Sequence, residues 1–346
     1  SSSAASDVYK RQGNNTLRGY RNHPAIWVES GSSVTFEGNG LLEASAGGAS
    51  IGLGAAGIGG GYGASSNFGN ITINGGTIIA QGSGGGAGIG SGENANYSGT
   101  VTINGGVVYA EGGADSTSIG RGNRAIGTSD NGAFTTGTGG NAVIVAPDGI
   151  GDPSGFADWD GIFISYEGSN TSATVGEDGT VHLNDTEANI QVWGEPVIDY
   201  PLVVESGTEL RVVQNDRNYA YATLEIGQDG KLTNNGTVTV DEGSTLILLE
   251  GLDQTDGSGT LECTGTVKLP PEDKLIALSG AEDLTYNGTE QRPEVSVTLN
   301  LWGYSHTYGN PADYTVTYTD ATNAGETAKA VVTSCLLYTS DAADEE

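Results

Sequence analysis

The sequence predicts an all-β chain: a right-handed parallel β-helix, or solenoid, over residues 13–269, then a small, truncated antiparallel β-sandwich over 270–334. Three observations carry that prediction. The segment ITINGGTIIAQGSGGGAGIGSG, starting at Ile71, returns thirty residues later as VTINGGVVYAEGGADSTSIGRG, starting at Val101. A unit repeated at this period cannot bury its apolar face alone and has to stack on its neighbours. The composition, with 58 glycines, no methionine and abundant Val, Ile, Thr and Tyr, favours short strands and tight turns. No window carries a capped helical stripe, whereas alternation of apolar and polar residues recurs.

The two ends share no pattern with the interior. SSSAASDVYKRQ (1–12) and CLLYTSDAADEE (335–346) resemble translated sequencing-adapter read-through and are set aside from fold reasoning. Inside them, the two copies align residue by residue. Ile71 and Ile73 match Val101 and Ile103, Ile78 matches Val108, Ala80 matches Ala110, and Ile89 matches Ile119. Strand alternation sends these residues inward and Thr72 and Thr102 outward. Asn-Gly-Gly at Asn74 and Asn104 breaks each strand with a turn, and stacked asparagines can hydrogen-bond along the axis. Residues 34–61 form a degenerate earlier copy. An acidic residue and a glycine turn precede a strand at Glu29, Glu177, Glu205 and Asp241, which extends the stacking to residue 269, with coils about 4.8 Å apart. Pro270-Pro271 then marks a stiff linker. Beyond it, LTYNGTEQRPEVSVTLNL and DYTVTYTDATNAGETAKAVVT alternate over longer runs, as antiparallel strands do.

The chain carries 43 acidic against 13 basic residues, a net charge of −30. Such a surface repels phosphate backbones and anionic lipid, which argues against nucleic acid and membrane surfaces as partners. No apolar run approaches the ~20 residues of a membrane helix. Cys263 stands alone once Cys335 is set aside, so a disulfide framework is excluded and a buried thiol is expected.

Candidate binding residues concentrate in APDGIGDPSGFADWDG (146–161). Asp148, Asp152, Asp158 and Asp160 surround Trp159. Oxygen-rich loops suit Ca²⁺, and an exposed indole stacks on a sugar ring. The competing reading makes the aspartates turn residues and Trp159 a plug in the adjacent coil. Tyr109 replaces Ile79 of the preceding copy and is expected on an outer face beside Tyr97, where the pair could meet a glycan. Trp193 and Trp302 are expected to pack in core or linker. A threonine ladder of the ice-binding type needs many copies, and only Thr72 and Thr102 align. GLGAAG (52–57) fits the dinucleotide fingerprint in letters but lacks the strand–helix context that gives it meaning. A glycoside hydrolase needs paired carboxylates and a lyase needs a base with charge stabilisation. His23, His182 and His306 are not flanked by acidic or groove-like motifs.

YNGTEQRPEVSV followed by DYTVTYTDATNAG resembles the small Ig-like repeat modules of Gram-positive bacterial surface proteins, over 276–333. AGIGGG from Ala56, ITINGGT from Ile71 and DWDGIFI from Asp158 resemble the glycine-rich β-helix regions of the same class. The resemblance implies secretion, surface or cell-wall attachment, and adhesion or carbohydrate binding, and it brings no catalytic residue. The expectation is therefore a non-enzymatic, adhesin-like protein with glycans or a host or cell-wall surface as partner and calcium as the sole candidate cofactor. A polysaccharide lyase or glycoside hydrolase working on a solenoid groove is the alternative.

Overall fold

The computed structural model describes residues 6–11, 13–48, 53–63, 66–95, 99–124, 134–150, 159–164, 173–175, 178–184, 190–214, 220–270, 276–279, 289, 292, 294–309, 314–319 and 329–334. Among them the secondary structure is nearly all β. A single 3₁₀ turn, Gly251–Gln254, is the helical exception. Repeated parallel strands dominate, an arrangement compatible with a solenoid.

In the first half, strands Ser33–Gly38, Asn70–Ile73 and Val101–Glu111 pair in parallel, and Phe134–Val145 follows. Ile73 lies opposite Ile103 and Ile71 opposite Val101, as the repeat alignment requires. Val108 faces Ile78 and Ala110 faces Ala80, while Leu41–Ser45 extends that ladder on the other side. A further ladder stacks Ile26, Ile58, Ile89 and Ile119, with Trp27, Gly59, Gly90 and Gly120 in the next column. The isoleucines of the last three of these coils are wholly buried, each stabilising the fold by about 1.5–3 kcal/mol relative to exposure.

The asparagine ladder forms: Asn104 Nδ2 donates to Asn74 Oδ1 at 2.8 Å. It stops there, because the next strand departs from register. Between the pairs Ile103–Thr136 and Gly105–Asn141, the strand Phe134–Val145 advances five positions for two on its neighbour. The outward threonine column is longer than the repeat alignment indicates. Thr35 pairs with Thr72, which pairs with Thr102, since the degenerate first copy keeps the register. The column beside it mixes Ser33 and Asn70.

The stack is not parallel throughout. Gly161–Ile164 pairs antiparallel with Ile190–Trp193, after which the parallel order resumes through Glu209–Val212, Thr237–Val240 and Thr260–Cys263. At this reversal the core changes side. Phe36, Ile73, Ile103, Val108 and Ile144 belong to one buried cluster. Val107, Tyr109, Val143, Val145, Ile162, Ile164, Ile190 and Val192 belong to a second, on the opposite face of the same sheet. The strands at the change-over are buried on both faces, which explains the apolar runs AVIV and GIFI and the burial of all four residues of IQVW, Gln191 included. Two further parallel ladders complete the second half. One runs Val181–Leu183, Pro201–Val204, Lys231–Asn234, Thr255–Asp256; the other Val197–Ile198, Thr223–Ile226, Thr245–Leu248, Thr266–Lys268.

The C-terminal part forms two antiparallel ladders, Ile276–Ser279 with Glu294–Leu301 and Tyr304–Thr307, and Tyr314–Thr319 with Lys329–Ser334. It packs directly against the strands Thr260–Cys263 and Thr266–Lys268. Leu261 N–H donates to the Trp302 carbonyl at 3.1 Å, and Trp302 Nε1 donates to the Asp256 carbonyl at 3.0 Å. Val295, Val297, Leu299 and Leu301 join the same core as Leu261 and Val267, so an edge that would otherwise expose apolar side chains is covered. Cys263 is half-buried in this contact, its thiol pushed up by burial and set against Tyr304.

Candidate functional site

Trp159 is no stacking platform. It is 1% exposed, fills the first core and donates from Nε1 to the Ile103 carbonyl at 3.3 Å. A Cβ on Gly161 would meet its ring at 2.3 Å, so glycine there lets the indole lie flat under the sheet. The exposed-indole expectation is corrected in favour of the plug.

Asp148 and Asp160 tie coils to one another. Asp148 Oδ2 accepts from Gly112 N–H at 2.9 Å, while Ser118 Oγ accepts from Asp148 N–H, also at 2.9 Å. Asp160 Oδ1 accepts from Glu195 N–H at 3.0 Å, across the antiparallel junction. Asp152, Asp158 and Tyr97 lie outside the described residues. Among the described residues no three acidic, histidine or cysteine side chains converge as a metal site would require.

Tyr109 is also corrected. It is 4% exposed and faces the second core rather than solvent, because its partner Ile79 already packs against that core. Its hydroxyl accepts from Ala173 N–H at 3.0 Å. Burial pushes that hydroxyl up to about 12, with the Ala173 hydrogen bond acting in the opposite direction.

Tyr109 does, however, help to line a cleft. Between the outer face of the first stack and the short strand Ala173–Val175 lie two adjoining hollows that share Asn39 and Val175. Their volumes are about 470 and 290 Å³, the first above and the second just below the lower limit of small-ligand pockets, about 300 Å³. The first is walled by Asn14, Leu41, Thr77, Ile79, Tyr109 and Thr174. The second is walled by the glycine turns after Asn74 and Asn104 and by Val107, Val181 and Tyr200. Glycine at these turns brings bare backbone to the wall; Gly76 and Gly106 hold φ of +79° and +83°.

The cleft has two chemical features. Among its described lining residues there is no Asp, Glu, Lys, Arg or His, in a chain with 43 acidic residues. It also holds two buried polar atoms without a hydrogen-bond partner, Asn104 Oδ1 and Tyr200 Oη. Burial pushes the Tyr200 hydroxyl well above the ordinary tyrosine range, so it stays protonated. Nothing in a single sequence announces this place. It arises from turns thirty residues apart meeting a segment seventy to a hundred residues further on.

A second pairing also escaped sequence reading. His182 Nδ1 lies 2.7 Å from Glu205 Oε1, both side chains 36% exposed, because Glu205 directly follows the strand Pro201–Val204 that pairs with Val181–Leu183. None of the described helices is long and apolar enough to cross a membrane. No protein-family model, curated protein or solved structure matches the chain.

Proposed function

We propose that the chain is a non-enzymatic, adhesin-like protein of the cell surface or extracellular space, built as a β-helical solenoid with an Ig-like module and binding carbohydrate. The observation that carries this reading is the cleft. Its described lining consists of amides, hydroxyls and aliphatic walls, with no carboxylate or cation among those residues, beside parallel strands held in register. Hydroxyl-rich ligands need such neutral donors and acceptors beside apolar surface. The stack supplies a rigid support, since each coil is pinned by the next. The acidic surface favours a glycan over a polyanion.

A glycan array probed with the full chain, with and without Ca²⁺, tests the proposal. Binding to a related group of glycans supports it, and silence across the array contradicts it. A polysaccharide lyase or hydrolase is the second reading, motivated by the His182–Glu205 pair. It requires release of reducing or unsaturated sugars that disappears in His182→Ala and Glu205→Gln. The first reading expects no such release.

A further inference from the structure

We propose that the hollow at Asn104 and Tyr200 is a subsite for one residue of an uncharged saccharide, with the glycan chain running along the stack towards Asn39. This rests on the carbohydrate reading above and names its ligand class and its contacts.

The two unpartnered atoms set complementary demands. Asn104 Oδ1, an amide oxygen, can only accept, and the amide nitrogen already donates to Asn74 Oδ1. The next coil cannot continue the ladder, since its strand is displaced by the extra residues between Thr136 and Asn141. Tyr200 Oη keeps its proton and seeks an acceptor. A single sugar hydroxyl, or a neighbouring pair, donates to the first and accepts from the second. Half-buried Val175 offers apolar surface to the C–H face of the ring, in a wall completed by the buried Val107 and Val181.

Charge decides against the acidic sugars. A uronate carboxylate seated here would find no cation among the described wall residues, and burying an unpaired charge is prohibitive. The net charge of −30 adds long-range repulsion. The shared boundary of the two hollows at Asn39 and Val175 supplies the path for further residues, past Thr77 and Tyr109. Successive coils rise by about 4.8 Å, comparable to one residue of an extended glycan.

An orphaned buried hydroxyl destabilises a fold unless something binds it. Tyr200→Phe should therefore keep or raise the melting temperature while weakening the ligand, the opposite of what a merely structural tyrosine would do. The test is equilibrium binding of the full chain to soluble xylan, mannan and mixed-linkage glucan, with polygalacturonate and alginate as the acidic arm. Wild type should bind at least one neutral polymer and neither acidic one. Tyr200→Phe and Asn104→Ala should each weaken binding about fivefold to tenfold, the usual worth of one neutral hydrogen bond. Val175→Trp fills the hollow from the opposite wall and should abolish binding even if either smaller change perturbs folding.

Binding of neutral glycan with unchanged affinity in all three variants overturns the subsite and leaves the carbohydrate reading standing. Preference for the acidic polymers overturns the assignment of charge class in the same way. Failure of wild type to bind any polymer in either arm overturns both.

Discussion

Gly90→Ala is the substitution that interrogates the stacking most sharply. Gly90 sits in the column Gly59–Gly90–Gly120 at φ +136°, a conformation that L-residues rarely enter. A Cβ built there meets the Gly120 carbonyl oxygen at 2.2 Å, and that contact is backbone, which cannot swing aside. The same oxygen accepts from Ser91 N–H at 2.9 Å, so relief by separating the coils breaks a hydrogen bond of the ladder. Backbone strain contributes about 1–2 kcal/mol, overpacking about 1–3 kcal/mol, and the lost hydrogen bond about 1 kcal/mol. The expected loss is roughly 3–6 kcal/mol. Gly31→Ala is the control: φ is +82°, but the space around a Cβ is open, so only the strain of about 1–2 kcal/mol applies. Urea unfolding followed through the buried Trp159 and Trp193 measures both. Equal losses in the two variants would show that no neighbouring coil lies against Gly90, and the stacking argument would fail.

Other consequences are equally specific. Glu93, 4% exposed, accepts from Gly54 N–H at 3.0 Å and Gly85 N–H at 3.3 Å, pinning glycine loops of separate coils. Glu93→Ala should cost about 2–5 kcal/mol by orphaning both donors, and Glu93→Gln distinctly less because an acceptor oxygen remains; thermal melts compare them. Tyr109 should make the protein sensitive to alkali. Its folded-state pKa of about 12 lies above the unfolded 10.0, so its full contribution is present below pH 10 and is lost as pH rises towards 12. The loss is about 3 kcal/mol at the upper end, and Tyr109→Phe should flatten that part of a stability–pH curve. Trp302→Ala should remove the bond to the Asp256 carbonyl and loosen the C-terminal ladders from the last coil. Limited proteolysis should then cleave around Pro270-Pro271 well before the coils, whereas an unchanged digestion pattern would mean that the docking matters little.

How legible this was in the sequence depended on how far apart the contributing residues lie. Ile73 opposite Ile103 and Asn104 on Asn74 could be read because the two copies are nearly identical, and identical turns force identical register. The change of core face at Gly161–Ile164 was not foreseen. Its signal was present in GIFI and IQVW, which lack the polar alternation of a strand with one wet face. Tyr109 misleads because a larger aromatic in place of isoleucine reads as a surface residue. The second stack covers that face and turns the extra volume inward. Trp159 carried two readings, and its indole took the apolar one, as a large ring beside glycine usually does. The cleft at Asn104 and Tyr200 could not be read at all. It depends on a register shift near Asn141 and on which face of the sheet the later strands cover.

The most direct measurement uses engineered cysteine pairs on the outward threonine column, in a chain with Cys263→Ser and Cys335→Ser. Thr35 pairs with Thr72, and Thr72 with Thr102, so Thr35→Cys/Thr72→Cys and Thr72→Cys/Thr102→Cys should both oxidise readily to intramolecular disulfides. Thr35→Cys/Thr102→Cys spans two coils of about 4.8 Å each, beyond the roughly 7 Å reach of a disulfide, and should stay reduced. Failure of the neighbouring pairs to close, or equal closure of the distant one, would mean that the windings do not lie on one another in this register.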